Sequence, residues 1–97
     1  MTLATALTLV TLAAPGVSVG DNWFRPRSLT VTRGAAVTWR WRGRRRHDVF
    51  FVSGSRGRPR RCGARRSGSC TRRFTRAGRF TYVCSFHGTM SGAVRVR

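Results

Sequence analysis

The chain has 97 residues, and 20 Lys+Arg stand against 2 Asp+Glu for a formal charge of +18; every basic residue is an Arg. That length bounds it to one domain with a limited core, and two acids, Asp21 and Asp48, exclude paired-carboxylate catalysis and any Ser-His-Asp arrangement. The exclusive use of Arg reads as a compositional bias spread over the whole sequence, but its physics remains: the surface attracts acidic proteins, polyanions and anionic head groups, with a steep salt dependence.

Met1 to Gly20 carry no charged side chain, and Leu3 to Ala14 is apolar with interspersed Thr. This predicts a secretory leader over residues 1–15, ending near Ala13-Ala14, and a domain over residues 16–97. No basic residue precedes the apolar run, and Pro15-Gly16 ends it short of the about 20 apolar residues that span a bilayer. An uncleaved membrane anchor is the alternative, and only that would bring the chain to a membrane. Both readings export the domain to the periplasm, the cell surface or the medium, where disulfides persist.

Alternation then predicts strands. Val17 and Val19, Leu29 and Val31, and Val37, Trp39 and Trp41 each share a parity, with Thr and Arg between, as half-buried strands require. His47, Val49 and Phe51 continue the pattern; so do Phe80, Tyr82 and Cys84, and finally Val94 and Val96. Turn residues at Pro26, Gly34, Gly43, Gly54, Gly57, Pro59, Gly63, Gly68 and Gly78 separate these runs. With no sustained helical period, the expected fold is all-β, a Greek-key β-sandwich, with most Trp and Phe in its core.

Ser53 to Arg73 is the least strand-like stretch, with eight Arg among Gly and Ser. It reads as a solvated loop, or more sharply as a docking or polyanion-binding patch. Aromatic residues are not interleaved with its arginines, so nothing there favours specific nucleic-acid binding. Cys62 and Cys70 flank a turn-rich segment and suit a staple of about 2–3 kcal/mol in the chain-entropy model, leaving Cys84 free. The alternatives are that both stay reduced or that one pairs with Cys84.

Cys84-Ser85-Phe86-His87-Gly88-Thr89-Met90 puts a thiolate, an imidazole and a thioether within seven residues, and His47 can add a second imidazole from an earlier strand. Soft sulfur mixed with borderline imidazole is what a copper ion cycling between Cu(I) and Cu(II) needs, and His47, Cys84, His87 and Met90 form the ligand set of one type 1 copper ion. Zinc is the inorganic rival, since His and Cys also suit it; the Met argues for copper. Taken singly, His47 between Arg46 and Asp48 could be a solvated loop residue, and Cys84 a buried free thiol.

With these residues in view, the chain from about Val17 to Arg97 resembles the cupredoxin family, in particular the small blue copper proteins of the plastocyanin and amicyanin type. The resemblance rests on Val19-Gly20-Asp21-Asn22-Trp23-Phe24 with Pro26, on Leu29-Thr30-Val31, on Gly34 with Val37-Thr38-Trp39, on His47-Asp48-Val49, and on Gly78 and Phe80 leading to Cys84. The short spacing from His87 to Met90 is similar to amicyanin. The resemblance implies a cupredoxin-like sandwich with His47, Cys84 and His87 as strong equatorial ligands, Met90 as the weak axial one, and His87 near the surface as the electron's exit. Two departures stand out: Phe86 occupies the place of the usual Pro before the loop His, and Asp48 that of an Asn which braces the ligand loop. An amide at Phe86 that reached the Cys84 sulfur would raise the copper potential.

The expected function is therefore a non-enzymatic electron carrier, a monomer docking to an acidic redox protein. Copper carriage or delivery is one alternative, and a metal-independent polyanion-binding module is another. Oxidases and nitrite reductases need further copper ligands, and the chain has only two His.

Overall fold

The computed structural model describes residues 15–54 and 56–97; the leader expected over residues 1–15 lies, except for Pro15, outside them. Nine strands follow in order: β1 Gly16–Val19, β2 Phe24–Arg25, β3 Ser28–Val31, β4 Ala36–Trp41, β5 His47–Phe51, β6 Cys62–Arg65, β7 Ser69–Arg73, β8 Gly78–Cys84 and β9 His87–Val96. They form two sheets, β2-β1-β4-β7 and β3-β9-β8-β5-β6. The chain passes between the sheets after β2, β3, β4, β6 and β7, so the two faces close on each other as an all-β sandwich. Two pairings are parallel, β1 with β4 and β3 with β9; the rest are antiparallel. No helix among the described residues is long and apolar enough to cross a membrane.

The predicted parities hold because a pleated strand sends alternate side chains to opposite faces. In β4, Val37, Trp39 and Trp41 are buried and Arg40 is exposed; in β8, Phe80, Tyr82 and Cys84 are buried while Arg79 faces solvent. Thr38 breaks the pattern, being buried on the outer side of β4, because its hydroxyl pairs with that of Thr71 directly across on β7 at 2.8 Å.

Trp39 is the centre of the core. Its ring meets Phe51 and Tyr82 edge-on at centroid distances of 5.8 and 5.4 Å, and Phe74 at 6.3 Å. Edge-to-face contact places the positive rim of one ring on the negative face of the next and adds to simple area burial. Phe24 extends the cluster onto Tyr82 at 4.8 Å. The Tyr82 hydroxyl and Trp39 Nε1 have no hydrogen-bond partner. Burial pushes the Tyr82 phenol up to about 12. A raised folded-state value means that stability is complete below about pH 10 and falls as the pH rises through 12. Alkaline titration of the phenolate absorbance should therefore inflect near pH 12 and be accompanied by loss of near-ultraviolet circular dichroism; an inflection near pH 10 with the fold intact would contradict it.

Ser53–Arg73, read from the sequence as a loop, contains β6 and β7. The two strands belong to different sheets, β6 beside β5 and β7 beside β4, so the alternation of either shows only against its partner. Cys62 and Cys70 are disulfide-bonded and join these two strands. Because Cys62 lies opposite Val49 and Cys70 opposite Trp39, the bond ties sheet to sheet across the core. Replacing both by Ala should cost about 2–3 kcal/mol, read as a lower denaturation midpoint; an unchanged midpoint would show that the sheets do not need the tie. Three arginines of this stretch act locally: Arg72 donates to the carbonyls of Arg60 at 2.8 Å and Arg61 at 3.0 Å, Arg65 to that of Ser69 at 2.6 Å, and Arg73 to that of Gly34.

Candidate metal centre

β8 and β9 are joined by the two-residue turn Ser85-Phe86, and Cys84 pairs with His87 across it. A register shift between Val83 and Cys84 lets the strand end turn, so that the thiol points inward while the His87 ring reaches the rim. His47, the first residue of β5, comes from the neighbouring strand. The donor atoms of His47, Cys84 and His87 lie within 4.8 Å of one another. Cys84 Sγ is 3.6 Å from His47 Nδ1, and the two imidazole centroids are 5.1 Å apart. His47 is 0 % exposed, which disposes of the solvated-loop reading. His87 is half-buried and Phe86 is 56 % exposed. Met90, on β9 three residues beyond His87, is 1 % exposed.

Cys84 is a free thiol, so the disulfide leaves the one sulfur that the cluster needs. One thiol and two imidazoles converging on a point, with a buried thioether on the adjoining strand, fit a copper ion that must be held in both oxidation states. Among the described residues no other group of three His, Cys, Asp or Glu converges in this way.

The surrounding polar groups hold this arrangement. Asp48 Oδ1 accepts the Ser85 amide at 2.7 Å, and its second oxygen accepts the Ser85 hydroxyl. The carboxylate thus braces the turn between Cys84 and His87, the role an Asn at that place would perform, now with a negative charge. Trp41 Nε1 donates to the His47 carbonyl at 2.9 Å and fixes the start of β5. The Arg65 guanidinium, opposite His47 on β6, covers the Trp41 ring at 5.1 Å. The Cys84 sulfur has its hydrogen-bond contact with His47 Nδ1, and the Phe86 amide makes none to it.

One site residue went unread in the sequence. Asp21 Oδ1 lies 3.1 Å from His47 Nε2 and accepts the amides of Arg44 and Arg45 at 2.9 Å each. The Arg45 amide, then the His47 ring and the Arg44 amide, hold the carboxyl down at about 2 against some opposing desolvation. As a depressed carboxylate, its contribution is complete above about pH 4 and is lost as the pH falls through 2. The available signal was compositional: in a chain with only two acids, one following Gly20 in a turn and one next to His47, neither is casual.

Arg44, Arg45 and Arg46 are exposed on the loop that leads into His47. They put three exposed positive charges directly before the cluster residue His47.

Comparison with known proteins adds the family. Neither protein-family models nor curated protein sequences give a match, but solved structures do. An oxidised amicyanin point variant is 30 % identical with a TM-score of 0.74, covering 93 % of this chain and 88 % of that one. A purple cupredoxin from Nitrosopumilus maritimus is 20 % identical with a TM-score of 0.73, over 86 % of this chain and 99 % of that one, and shows likeness of fold. A copper-containing nitrite reductase from Thermus scotoductus, 21 % identical with a TM-score of 0.77, also shares the fold; the chain spans 25 % of its length. The sandwich and the similarity to amicyanin together show that this chain belongs to the cupredoxin family, in its plastocyanin/amicyanin type.

Proposed function

We propose that the chain is an electron carrier working outside the cytoplasm, in which His47, Cys84 and His87, with Met90 as a weaker fourth donor, would hold one type 1 copper ion. The observation that carries this reading is the convergence of the two imidazoles and the free thiol within 4.8 Å, on a fold shared with amicyanin. Bound copper would supply reversible one-electron chemistry between Cu(II) and Cu(I). The protein's part is to keep the donors where both states accept them: the Asp48 brace and the Trp41 bond pin the turn and the strand end, so little needs to move on reduction or oxidation. Met90 favours copper over zinc, for which a thioether is a poor donor.

The half-buried His87 beside the exposed Phe86 gives the electron its exit, through an apolar contact that excludes water. The exposed Arg44, Arg45 and Arg46, directly before His47, steer an acidic redox protein to the cluster, with association that weakens as salt rises. Arg65, Arg72 and Arg73 are bonded to backbone carbonyls, which weighs against a dedicated polyanion-binding patch on β6 and β7.

The test is a Cu(II) titration of the purified domain followed by visible absorption and electron paramagnetic resonance. One equivalent should give an intense blue band with a narrow copper hyperfine splitting; a colourless or weakly held ion would sink the proposal. Met90→Leu should keep the blue band and raise the reduction potential, because loss of the thioether donor would favour Cu(I). An unchanged potential would remove Met90 from the ligand set.

A further inference from the structure

Asp21 sits in the turn between β1 and β2, 26 residues before His47 in sequence, yet it reaches the back of the imidazole. The turn is closed by the Gly20 amide donating to the Trp23 carbonyl at 2.9 Å. The Trp23 ring packs against the bare α-carbon of Gly20, where a Cβ would fall 2.2 Å from the indole. The carboxylate enters through a second gap, at Gly43: a Cβ there would stand 2.2 Å from Asp21 Oδ1 and 2.7 Å from its Cγ. Gly43 therefore clears the path of the carboxylate to the ring nitrogen, while Gly20 lets the turn that carries it pack against Trp23.

An ionised carboxylate accepts hydrogen bonds and cannot donate them, so His47 Nε2 must be the donor of the 3.1 Å contact. In the neutral ring the proton is then on Nε2, and Nδ1 presents its lone pair towards Cys84 Sγ, 3.6 Å away. Oδ1 also accepts the amides of Arg44 and Arg45, which immobilises the carboxylate at the foot of the basic loop.

We propose that Asp21 is a positioning residue of the metal centre: it fixes the tautomer and rotation of His47 and, by its charge, lowers the reduction potential. This rests on His47 being a copper ligand. A carboxylate behind a ligating imidazole raises the basicity of the ring, and changes to such partners typically alter metal affinity by about 10- to 100-fold. The more highly charged Cu(II) state gains most from that basicity and from the nearby negative charge. Asp21 also links the loop carrying Arg44 and Arg45 to the ligand itself.

Two measurements test this. In the metal-free protein, two-dimensional proton–nitrogen correlation of the imidazole should find the His47 proton on Nε2, and Asp21→Ala should populate the Nδ1–H form. A proton on Nδ1 in the unaltered protein, or an Asp21→Ala ring with an unchanged tautomer, would overturn the positioning role. In the copper-loaded protein, Asp21→Asn keeps an oxygen acceptor and deletes the charge. It should shift the Cu(I)/Cu(II) affinity ratio about tenfold towards Cu(I), a rise of 59 mV for one electron. Gly43→Ala, whose methyl would take the carboxylate's place, should move the potential the same way. A potential unchanged in both variants, with only thermal stability reduced, would make Asp21 a structural brace and overturn the electronic half of the proposal. Absence of a blue site in the unaltered chain would instead overturn the copper function, while the tautomer measurement, which needs no metal, would still decide whether Asp21 holds the ring.

Discussion

Cys84→Ser is expected to abolish the thiolate-to-copper charge-transfer band completely while the sandwich stays folded. The band requires a sulfur-centred orbital, and a serine hydroxyl is a hard donor that stays protonated at neutral pH. The side chain is 1 % exposed and lies 3.6 Å from His47 Nδ1, so the near-isosteric hydroxyl keeps a hydrogen-bonding neighbour. Its structural cost should stay within about 1–2 kcal/mol. Visible absorption of the copper-loaded variant, read beside its far-ultraviolet circular dichroism, checks both halves. Retention of the same blue band would disprove the role of Cys84; loss of the fold would mean that the thiol is chiefly a core residue.

Trp39→Ala should have the largest effect on stability, about 3–5 kcal/mol. The ring touches Phe51, Phe74 and Tyr82, stands on the central part of β4 opposite the disulfide residue Cys70, and is fully buried. Its neighbours are large aromatic rings, so removing the indole should leave a cavity in the core. Domains of this size have only about 5–15 kcal/mol in total, and a formal charge of +18 strains the compact state further through self-repulsion. The variant should therefore be largely unfolded in dilute buffer and partly rescued by added salt, which screens the arginines. Chemical denaturation at two ionic strengths provides the measurement; a loss below about 1 kcal/mol would show that the aromatic cluster repacks without its centre.

Both expectations draw on features that the sequence made visible. The period-2 runs in β4, β5, β8 and β9 identified the inward faces, and with them Trp39, His47 and Cys84. A strand's faces are set by local backbone geometry alone. The spacing from Cys84 to His87 to Met90 was equally legible, because a tight turn can be recognised within its own few residues. Cys62 and Cys70 were recognisable as a pair, but that their bond joins two sheets was not, since β6 and β7 show their strand character only against β5 and β4.

Composition and local periodicity by themselves thus determined the all-β class and the buried parities, and motif spacing singled out His47, Cys84 and His87 as candidate donors. Only the tertiary structure decided that those donors converge within 4.8 Å, that Asp48 braces Ser85 across 37 residues of sequence, and that Asp21 reaches His47 from the turn after β1. The physical reason is one of range. Strand faces and turns follow from torsions and neighbours a few residues apart, whereas contacts between distant segments depend on which strands lie side by side, as β5, β8 and β9 do in one sheet, and, for Asp21, on how the two sheets stack and on the gap left where Gly43 has no side chain.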